Sequence, residues 1–382
     1  MNPSLPLRRA LLLLGLHAIA LAGPVRAAIR AGFEEHVVAD SLDSPVRLAF
    51  GPGGRVFVCE QAGRLRVVRD KRLLARPFVT VPTRAFEEEG LLGVALDPAF
   101  ARSKRVYVLY TALAPTRHNV IAWYAASGDT AVGEGTIVYE FDTHLVHQHV
   151  GGALRFGPDG FIYASSGECG DENLVHSLAS TAGKLVRIDR DGRIPRDNPF
   201  RTATRGRHGA IWARGFRNAF TFDFLPGTKR VFVNDVGGSR YEEVNDVAAG
   251  DDLGWPFVEG PGTAAGSRSP RHAYSHDHGC AITGGAFYAP ARASFPREWH
   301  GGYFYSDYCT HEIRWLTASG PAKVRAFGPT LVPGPVDLGV AADGALWYLA
   351  RGNSAPTGGP GSAWGVLVRV GIQAPRPQGV AN

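Results

Sequence analysis

The amino-acid sequence predicts an all-β fold, a six-bladed β-propeller with four-stranded antiparallel blades. A pair of strands joined by a turn with Pro, Gly or Asp recurs six times, and apolar–polar alternation between such turns is typical of half-buried hairpins. Helical periodicity is nearly absent, and 48 glycines and 26 prolines suit a chain rich in turns. The copies begin roughly 40–75 residues apart, which leaves room for about four short strands in each unit.

Each copy has the same layout, an alternating strand, a turn, and a second strand rich in Val, Tyr and Phe. The copies are Leu48–Val58, Val94–Tyr110, Leu154–Tyr163, Phe222–Val233, a weaker one at Gly301–Tyr305, and Leu338–Leu349. The first strand, near Phe33–Val38, is predicted to pair beside Gly365–Val370 in the last blade, because this pairing closes the ring and covers two strand edges. Two large β-sandwiches are the alternative, and the similarity of the six copies favours the propeller.

Residues 1–27 have the three parts of a secretory signal peptide. Arg8 and Arg9 precede an apolar run from Ala10 to Ala22, and small residues offer cleavage after residue 22 or residue 27. The run is short for a membrane span, so an uncleaved anchor is the alternative. No later stretch is apolar and long enough to cross a bilayer, which predicts a periplasmic or secreted protein. Residues 28–372 are assigned to one propeller and residues 373–382 to a frayed tail.

Charge and cysteine content narrow the class of protein further. The formal net charge is +6, but the basic residues are scattered and no recognition motif for nucleic acid is present, so no nucleic-acid partner is expected. Four cysteines in an exported chain permit disulfides. Cys280 and Cys309 flank one hairpin region and are predicted to pair, whereas the pairing of Cys59 and Cys169 stays open. The cysteine spacing suits no zinc site.

The segment around His149 is the most informative for function. His149 is followed by Gly151 and Gly152, then by the third hairpin, which ends in Glu168. Such a hairpin can place an imidazole and a carboxylate at one sheet edge, and proteins build general bases from this pair. A lone histidine is more often structural or solvated, but paired glycines let the backbone approach a ligand or another strand. His149 and Glu168 are therefore the candidate base and its partner.

Two later segments add candidate polar groups. Arg217 lies between aromatic residues, where an arginine can bind an anion, polarise an oxygen or simply bridge two blades. The loop after Asp235 carries Gly237 and Gly238 and then two glutamates, so it could hold calcium through main-chain oxygens and Glu243, although acidic loops are usually just solvated. Loops at strand ends gather at one mouth of a propeller channel. We therefore expect His149, Glu168, Arg217 and this loop to meet there.

Taken together, these motifs resemble the soluble quinoprotein glucose/sorbosone dehydrogenases, which are aldose sugar dehydrogenases dependent on pyrroloquinoline quinone (PQQ). The ectodomains similar to hedgehog-interacting protein belong to the same superfamily. The matching stretches, which span nearly the whole chain after the signal peptide, are Gly90–Phe100, the His149 hairpin, Gly183–Phe200, Phe216–Asn218, Asp235–Asn245, Gly254–Pro256 and Ile282–Gly285. The resemblance implies the same six-bladed propeller that the repeats indicate.

The resemblance also implies a chemistry. His149 would take the proton from the anomeric hydroxyl of a sugar while hydride passes to the quinone of PQQ. Glu168 would support this base, at a position where the family more often has Asp, and Arg217 would contact quinone and substrate oxygens. Further cofactor contacts are expected from the amide of Asn218, from Glu88 at a polar position of the channel, and from Tyr308.

Calcium is the second cofactor that the resemblance implies. The carbonyls of Gly237 and Gly238 would hold the ion that polarises the quinone, although the family has Gly-Pro where this chain has Gly-Gly. Glu243 and the Leu253 carbonyl resemble a second calcium position.

The chain departs from the glucose-oxidising branch at the anchors for the PQQ carboxylates. A lysine and paired arginines are replaced within Asp307–His311 and Gly334–Asp337, and each charge-assisted bond lost is worth about 1.5–3 kcal/mol. The leading hypothesis is an exported PQQ- and calcium-dependent enzyme that oxidises the anomeric carbon of an aldose and passes electrons to an unidentified acceptor. The alternatives are a noncatalytic propeller that binds a carbohydrate or protein, and a calcium-dependent lactonase.

Overall fold

Six antiparallel blades surround a central channel in the computed structural model, which describes residues 29–352 and 365–373. The predicted six-bladed propeller with four-stranded blades is thus confirmed. The predicted signal peptide, residues 1–27, and the tail beyond residue 373 lie outside the described residues. Within the described ranges, no helix is both long and apolar enough to cross a membrane.

The strands are short and follow one another along the chain from blade to blade. They are β1 (Phe33–Leu42), β2 (Pro45–Gly51), β3 (Arg55–Glu60), β4 (Arg64–Arg69), β5 (Arg72–Leu73), β6 (Val79–Thr80), β7 (Leu91–Leu96), β8 (Arg105–Ala112), β9 (His118–Ser127), β10 (Thr130–Thr143), β11 (Leu154–Phe156), β12 (Ile162–Ser166), β13 (Lys184–Ile188), β14 (Ile211–Arg214), β15 (Ala219–Phe224), β16 (Val231–Asp235), β17 (Tyr241–Val247), β18 (His272–Ser275), β19 (Ile282–Phe287), β20 (Tyr303–Asp307), β21 (Glu312–Leu316), β22 (Val324–Pro329), β23 (Pro335–Val340), β24 (Leu346–Ala350) and β25 (Gly365–Ile372). The helical turns are α1 (Phe100–Ser103) and the 3₁₀ segments Pro52–Gly54, Glu172–Leu174, Gly206–Ala210, His276–His278 and Arg297–Trp299.

Blades 1 to 5 begin at the channel with β2, β7, β11, β15 and β19, and each later strand of a blade lies farther out; in blade 1, β5 and β6 both pair with β4. The recurring hairpins of the sequence are the two innermost strands of the blades. Their turns need left-handed backbone, as at Gly160 (φ 77°) and Gly344 (φ 84°), which glycine adopts without strain. The fifth hairpin was the weakest in sequence because the long connection 288–302 separates β19 from β20.

Blade 6 is closed by the two ends of the described chain. Its order is β23, β24, β25 and then β1, with Phe33 opposite Ile372 and Val37 opposite Val368. The predicted pairing of the first strand with the last is therefore confirmed. Phe33 also packs edge-on against Phe295, 4.7 Å between ring centroids, so the closing strand is joined to an aromatic core as well as to hydrogen-bonded backbone.

The four cysteines comprise one disulfide and two free thiols. Cys280 and Cys309 form a disulfide, as predicted. Cys59 and Cys169, whose pairing was left open, are separate buried thiols.

Arg47, on β2, spans the central channel. Its side chain is 4% exposed and bonds to three other blades, through Nη1 to Asp337 Oδ1 at 3.2 Å, Nη2 to the Phe220 carbonyl at 2.8 Å and Nε to the Leu92 carbonyl at 3.4 Å. Arg47 borders a cavity of about 310 Å³ that is lined by the inner strands of all six blades. Phe220 borders a smaller cavity of about 110 Å³. The guanidinium thus lies between two compartments of the channel.

Candidate functional site

An imidazole, a carboxylate and a guanidinium meet at one end of the channel. His149 precedes β11, Glu168 follows β12, and Arg217 precedes β15. Nδ1 of His149 lies 2.8 Å from Glu168 Oε1, and Nε2 lies 2.9 Å from Arg217 Nη2. Because a guanidinium only donates, Nε2 must accept, and Nδ1 therefore carries the proton that it donates to Glu168. This tautomer puts the ring's lone pair on Nε2, where a substrate hydroxyl that replaces the Arg217 donor can deliver a proton, as a general base requires.

The backbone at His149 is held in an uncommon conformation. His149 has φ 54°, in the left-handed region that side chains with a Cβ enter at a cost of about 1–2 kcal/mol. Its amide donates to Glu88 Oε2 at 3.0 Å, and its carbonyl accepts from the amide of Cys169 at 3.1 Å. Gly151 is required nearby, since a Cβ there would lie 2.8 Å from the Cα of Ser166. The paired glycines thus admit a neighbouring strand.

Trp255 completes the surroundings of Glu168 and has no role assigned from the sequence. Its indole Nε1 donates to Glu168 Oε2 at 2.6 Å, and the Arg217 guanidinium carbon lies 5.6 Å from the indole centroid. Burial would raise the pKa of Glu168, but the bonds from His149 and Trp255 and the charge of Arg217 outweigh it and lower that pKa. Glu168 therefore stays an anion that can stabilise a protonated imidazole.

Arg217 is fixed through both its backbone and its side chain. Its amide donates to Asp235 Oδ2 at 3.0 Å, while Nη1 donates to the carbonyls of Val236 at 3.1 Å and Gly237 at 2.5 Å. Burial, reinforced by the charge of Glu243, raises the pKa of Asp235 well above its ordinary value despite the amide bonds that it accepts. The groups expected at one channel mouth are therefore together. His149 and Arg217 precede inner strands, whereas Glu168 and the loop after Asp235 follow second strands. These positions lie at the same end of a blade because the strands are antiparallel.

Three further predicted residues line the cavity of about 110 Å³ beside this triad, namely Asn218, Glu88 and Tyr308. Nδ2 of Asn218 donates to Glu88 Oε2 at 3.1 Å, and Oδ1 accepts from the Gly151 amide at 3.1 Å. Through this amide bridge, the same Glu88 carboxylate that holds the His149 backbone also forms the cavity wall. Tyr308 is buried there, and burial raises the pKa of its hydroxyl.

Arg351, which follows β24, brings a cation to the same cavity. Its Nε donates to the Pro45 carbonyl at 3.0 Å and its Nη2 to Gln61 Oε1 at 3.0 Å. The segments Asp307–His311 and Gly334–Asp337 lack the lysine and paired arginines that the resemblance to the glucose-oxidising branch implied. Arg351 comes from another strand end of blade 6. In the sequence, the only sign of this cation was an arginine directly after the second strand of the last hairpin.

Residues 42–355 match the glucose/sorbosone dehydrogenase family. The chain belongs to this family. It is 30% identical over 237 residues to aldose sugar dehydrogenase YliI of Escherichia coli, a match that covers 58% of this chain and 61% of that protein. It is 27% identical over 198 residues to mouse Hedgehog-interacting protein, covering 44% of this chain and 28% of that protein. The chain thus spans less than two thirds of either relative.

Solved structures of the family share the fold at comparable identity. The PQQ-bound aldose sugar dehydrogenase of Streptomyces coelicolor is 25% identical with a TM-score of 0.72, and the match covers 90% of this chain and all of that one. The soluble aldose sugar dehydrogenase of Escherichia coli, in its apo form, is 26% identical with a TM-score of 0.77, covering 89% of this chain.

The calcium positions implied by the family resemblance differ in their surroundings. The carbonyls of Val236 and Gly237 converge on one cationic nitrogen of Arg217, so this loop presents oxygens to a cation. Glu243 accepts from the Gly260 amide and from Asn245 Nδ2 at 2.6 and 3.0 Å, and burial raises its pKa.

Gly238 and Leu253, the other two predicted calcium residues, have different neighbours. The Gly238 amide donates to Glu259, and a Cβ on Gly238 would lie 2.8 Å from the Trp255 ring. Leu253 packs in an apolar cluster, and its amide donates to the Arg214 carbonyl. In residues 29–352 and 365–373, no three His, Cys, Asp or Glu side chains are grouped as a metal site.

Glu259 fixes the loop that carries Gly237 and Gly238. Its Oε1 accepts the amides of four consecutive residues from Gly238 to Tyr241, at 2.8–3.1 Å. Burial would raise the pKa of Glu259, but these bonds lower it to about 2. The loop and the buried carboxylate therefore stabilise each other, and the loop in turn positions the carbonyls that contact Arg217.

We expect Glu259→Gln to lower the free energy of unfolding by about 2–3 kcal/mol at pH 7. A carboxyl whose pKa is lowered on folding contributes its full stabilisation at pH values above its ordinary pKa of 4.5. This contribution is lost as the pH falls toward about 2. The difference between wild type and variant in urea titrations should therefore be constant above about pH 5 and shrink below it. A difference that is independent of pH between 3 and 7 would contradict the assigned role.

Proposed function

We propose that the protein is an exported, PQQ- and calcium-dependent dehydrogenase that oxidises the anomeric carbon of an aldose. The observation that carries this proposal is the state of His149. Glu168 fixes the proton on Nδ1, and the Nε2 lone pair, which accepts from Arg217, lies beside a cavity. Membership of the family supports the same reaction, with a small sugar as substrate.

His149 accepts the proton of the anomeric hydroxyl at Nε2. The imidazolium that forms is stabilised by the Glu168 carboxylate, 2.8 Å from Nδ1. Arg217 lies 2.9 Å from the same Nε2. An anomeric hydroxyl that donates its proton to Nε2 is therefore also within reach of the guanidinium. Arg217 thereby stabilises the charge that develops on the oxygen as the proton leaves.

The cavity beside His149 offers apolar walls and one cation, Arg351, to a flat cofactor, and the carboxylates of Glu87 and Glu88 also line it. Its walls include Val46, Leu92 and Phe220, while Asn218 and Arg351 supply an amide and a cation. Apolar faces with a few placed polar groups are typical of cofactor sites. When bound, PQQ supplies the quinone that accepts the hydride. Its carboxylates would be held by Arg351 and its ring by the apolar walls, with Asn218 and Tyr308 at the edge.

The calcium part of the proposal depends on the loop at Gly237 and Gly238. Carbonyl oxygens are ligands that Ca²⁺ prefers, and an ion held by the carbonyls of Gly237 and Gly238 would replace the hydrogen bond that Arg217 Nη1 donates to Gly237. Glu243 and the Leu253 carbonyl remain the proposed second position. Export is supported by the predicted signal peptide and by the Cys280–Cys309 disulfide, and electrons would leave to an acceptor that is not identified.

The test is reconstitution of the purified protein with PQQ and Ca²⁺ and measurement of quinone reduction on addition of aldoses. His149→Ala should lose activity by about 10²–10⁴-fold, the contribution of a positioned general base. His36→Ala, at an exposed histidine of β1, is the matched control and should retain activity.

Other outcomes of this experiment point to other functions. Absence of PQQ binding at micromolar concentration would favour a noncatalytic propeller that binds a carbohydrate or protein, and the mouse relative is named for an interaction with a protein. Lactone hydrolysis without quinone would favour the lactonase.

A further inference from the structure

A third concave site, here called the side depression, opens next to the catalytic cavity. Its volume is about 300 Å³, and it is lined by Arg84, Phe86, Glu89, Leu113, Arg117 and His147. The side chains of Phe86 and Leu113 are 43% and 46% exposed. Exposed aromatic and aliphatic groups in a concave site with a few charged side chains are typical of ligand binding.

Two chain segments are shared between the side depression and the catalytic site. Phe86 and Glu89 line the depression, whereas Glu87 and Glu88, between them, line the catalytic cavity. His147 lines the depression, and the candidate base His149 lies two positions farther along. The Glu88 amide donates to the His147 carbonyl at 3.1 Å, which joins the segments. The two sites are therefore lined by neighbouring residues of the same two segments.

The wall of the side depression is fixed by a buried carboxylate. Glu89 Oε2 lies 2.7 Å from His147 Nδ1, and Oε1 lies 3.4 Å from His144 Nδ1 and 3.5 Å from Arg117 Nε. Burial would raise the pKa of Glu89, but the bonds from the two histidines lower it. Arg117 also contacts His147 Nε2 at 3.1 Å. The wall formed by Glu89, Arg117 and His147 is therefore held before any ligand arrives, which reduces the entropic cost of binding.

Charged groups of both signs line the two sites. The catalytic side carries the carboxylates of Glu87 and Glu88 and the guanidinium of Arg351. In the side depression, Arg117 Nε lies 3.5 Å from the Glu89 carboxylate, whereas Arg84 is exposed, lies 5.9 Å from the Phe86 ring centroid and forms no ion pair within the part of the chain that the structure describes. Arg84 is therefore the cation that a carboxylate on a ligand can pair with.

We propose that the side depression binds a second sugar ring that carries a carboxylate, so that the preferred substrate is an acidic disaccharide. Its neutral reducing end would lie at His149, and this part rests on the proposed function. Its uronic acid ring stacks on Phe86 beside Leu113, and its carboxylate accepts from Arg84 and Arg117. Arginine suits this role because its planar donors match a carboxylate in pairs.

The experiment compares cellobiose with glucuronosyl-(1→4)-glucose, which differ in the acidic group. For the reconstituted protein we expect kcat/KM to be about tenfold or more higher for the acid, the worth of one charge-assisted bond, and this preference should weaken with added salt. Arg84→Gln should lower the ratio of acid to neutral kcat/KM about tenfold, mainly through KM. Phe86→Ala should raise KM for both disaccharides relative to glucose. Arg193→Gln, at an arginine 78% exposed in the connection after β13, is the control and should leave every ratio unchanged.

Calorimetric binding of the same two disaccharides separates this proposal from the proposed function. If the wild type binds the acidic disaccharide more tightly than the neutral one and Arg84→Gln abolishes this difference, the subsite is supported even if no aldose is oxidised. In that case only the proposed function fails. Oxidation of glucose with no gain in kcat/KM or affinity for the acidic disaccharide would overturn the subsite while the dehydrogenase remains. Equal affinity for both disaccharides in wild type would likewise overturn it.

Discussion

Replacing Arg47 by methionine is expected to lower the free energy of unfolding by about 3–5 kcal/mol, because the change leaves a buried carboxylate without its counter-ion. Asp337 is fully buried, and its other oxygen accepts the Leu48 amide at 2.9 Å. The variant also removes the donors that reach the Leu92 and Phe220 carbonyls. One side chain thus connects blade 1 to three other blades across the channel. Its loss should therefore lower the stability of the whole propeller.

Chemical denaturation at pH 7 measures this effect. The double variant Arg47→Met with Asp337→Leu should be less destabilised than either single variant, since an apolar pair buries no unpaired charge. The control Arg193→Met, at an exposed site, should change the free energy of unfolding by about 0.5 kcal/mol or less. If Arg47→Met alone were within about 1 kcal/mol of wild type, the channel would tolerate the bare carboxylate and the proposed tie between blades would be wrong.

The elements that sequence alone could locate are those set by local pattern. Alternation over a few residues and Asp-Gly turns such as Asp343–Gly344 specify a hairpin without knowledge of the rest of the chain. Ring closure by Phe33–Leu42 followed from the need to cover two edges. His149 and Glu168 could be paired because one hairpin separates them, and a hairpin returns its ends to the same sheet edge.

The groups that sequence reasoning missed act across long separations. Trp255 bonds to Glu168 over 87 positions, and Arg351 bonds to Gln61 over 290. No local pattern marks such partners, because the arrangement of the blades decides which loops face one another. The glycines after His149 show the same limit. A glycine pair signals close approach, but only the fold shows that Gly151 passes a neighbouring strand.

Glu168→Gln is expected to reduce kcat/KM of the reconstituted enzyme by about 10²–10⁴-fold, the range associated with general-base catalysis. An amide offers one acceptor and one donor group, whereas both neighbours of the Glu168 carboxylate, Nδ1–H of His149 and Nε1–H of Trp255, are donors. If the amide oxygen faces Trp255, the NH₂ group faces Nδ1 and favours the tautomer with its proton on Nε2. That tautomer cannot accept the substrate proton, and its Nε2–H also opposes Arg217.

Two further variants separate this tautomer effect from simple loss of charge. Glu168→Asp keeps a carboxylate, and Asp is the residue that the family more often has here according to the resemblance. This variant should retain activity within about tenfold. In the double variant Glu168→Gln with Trp255→Phe, no indole N–H competes for the amide oxygen, which can then turn toward Nδ1 and restore the productive tautomer. Partial recovery of kcat/KM in the double variant is therefore expected. Activity that falls further when Trp255 is also replaced would show that Glu168 acts through its charge, and that the direction of its hydrogen bonds does not control His149.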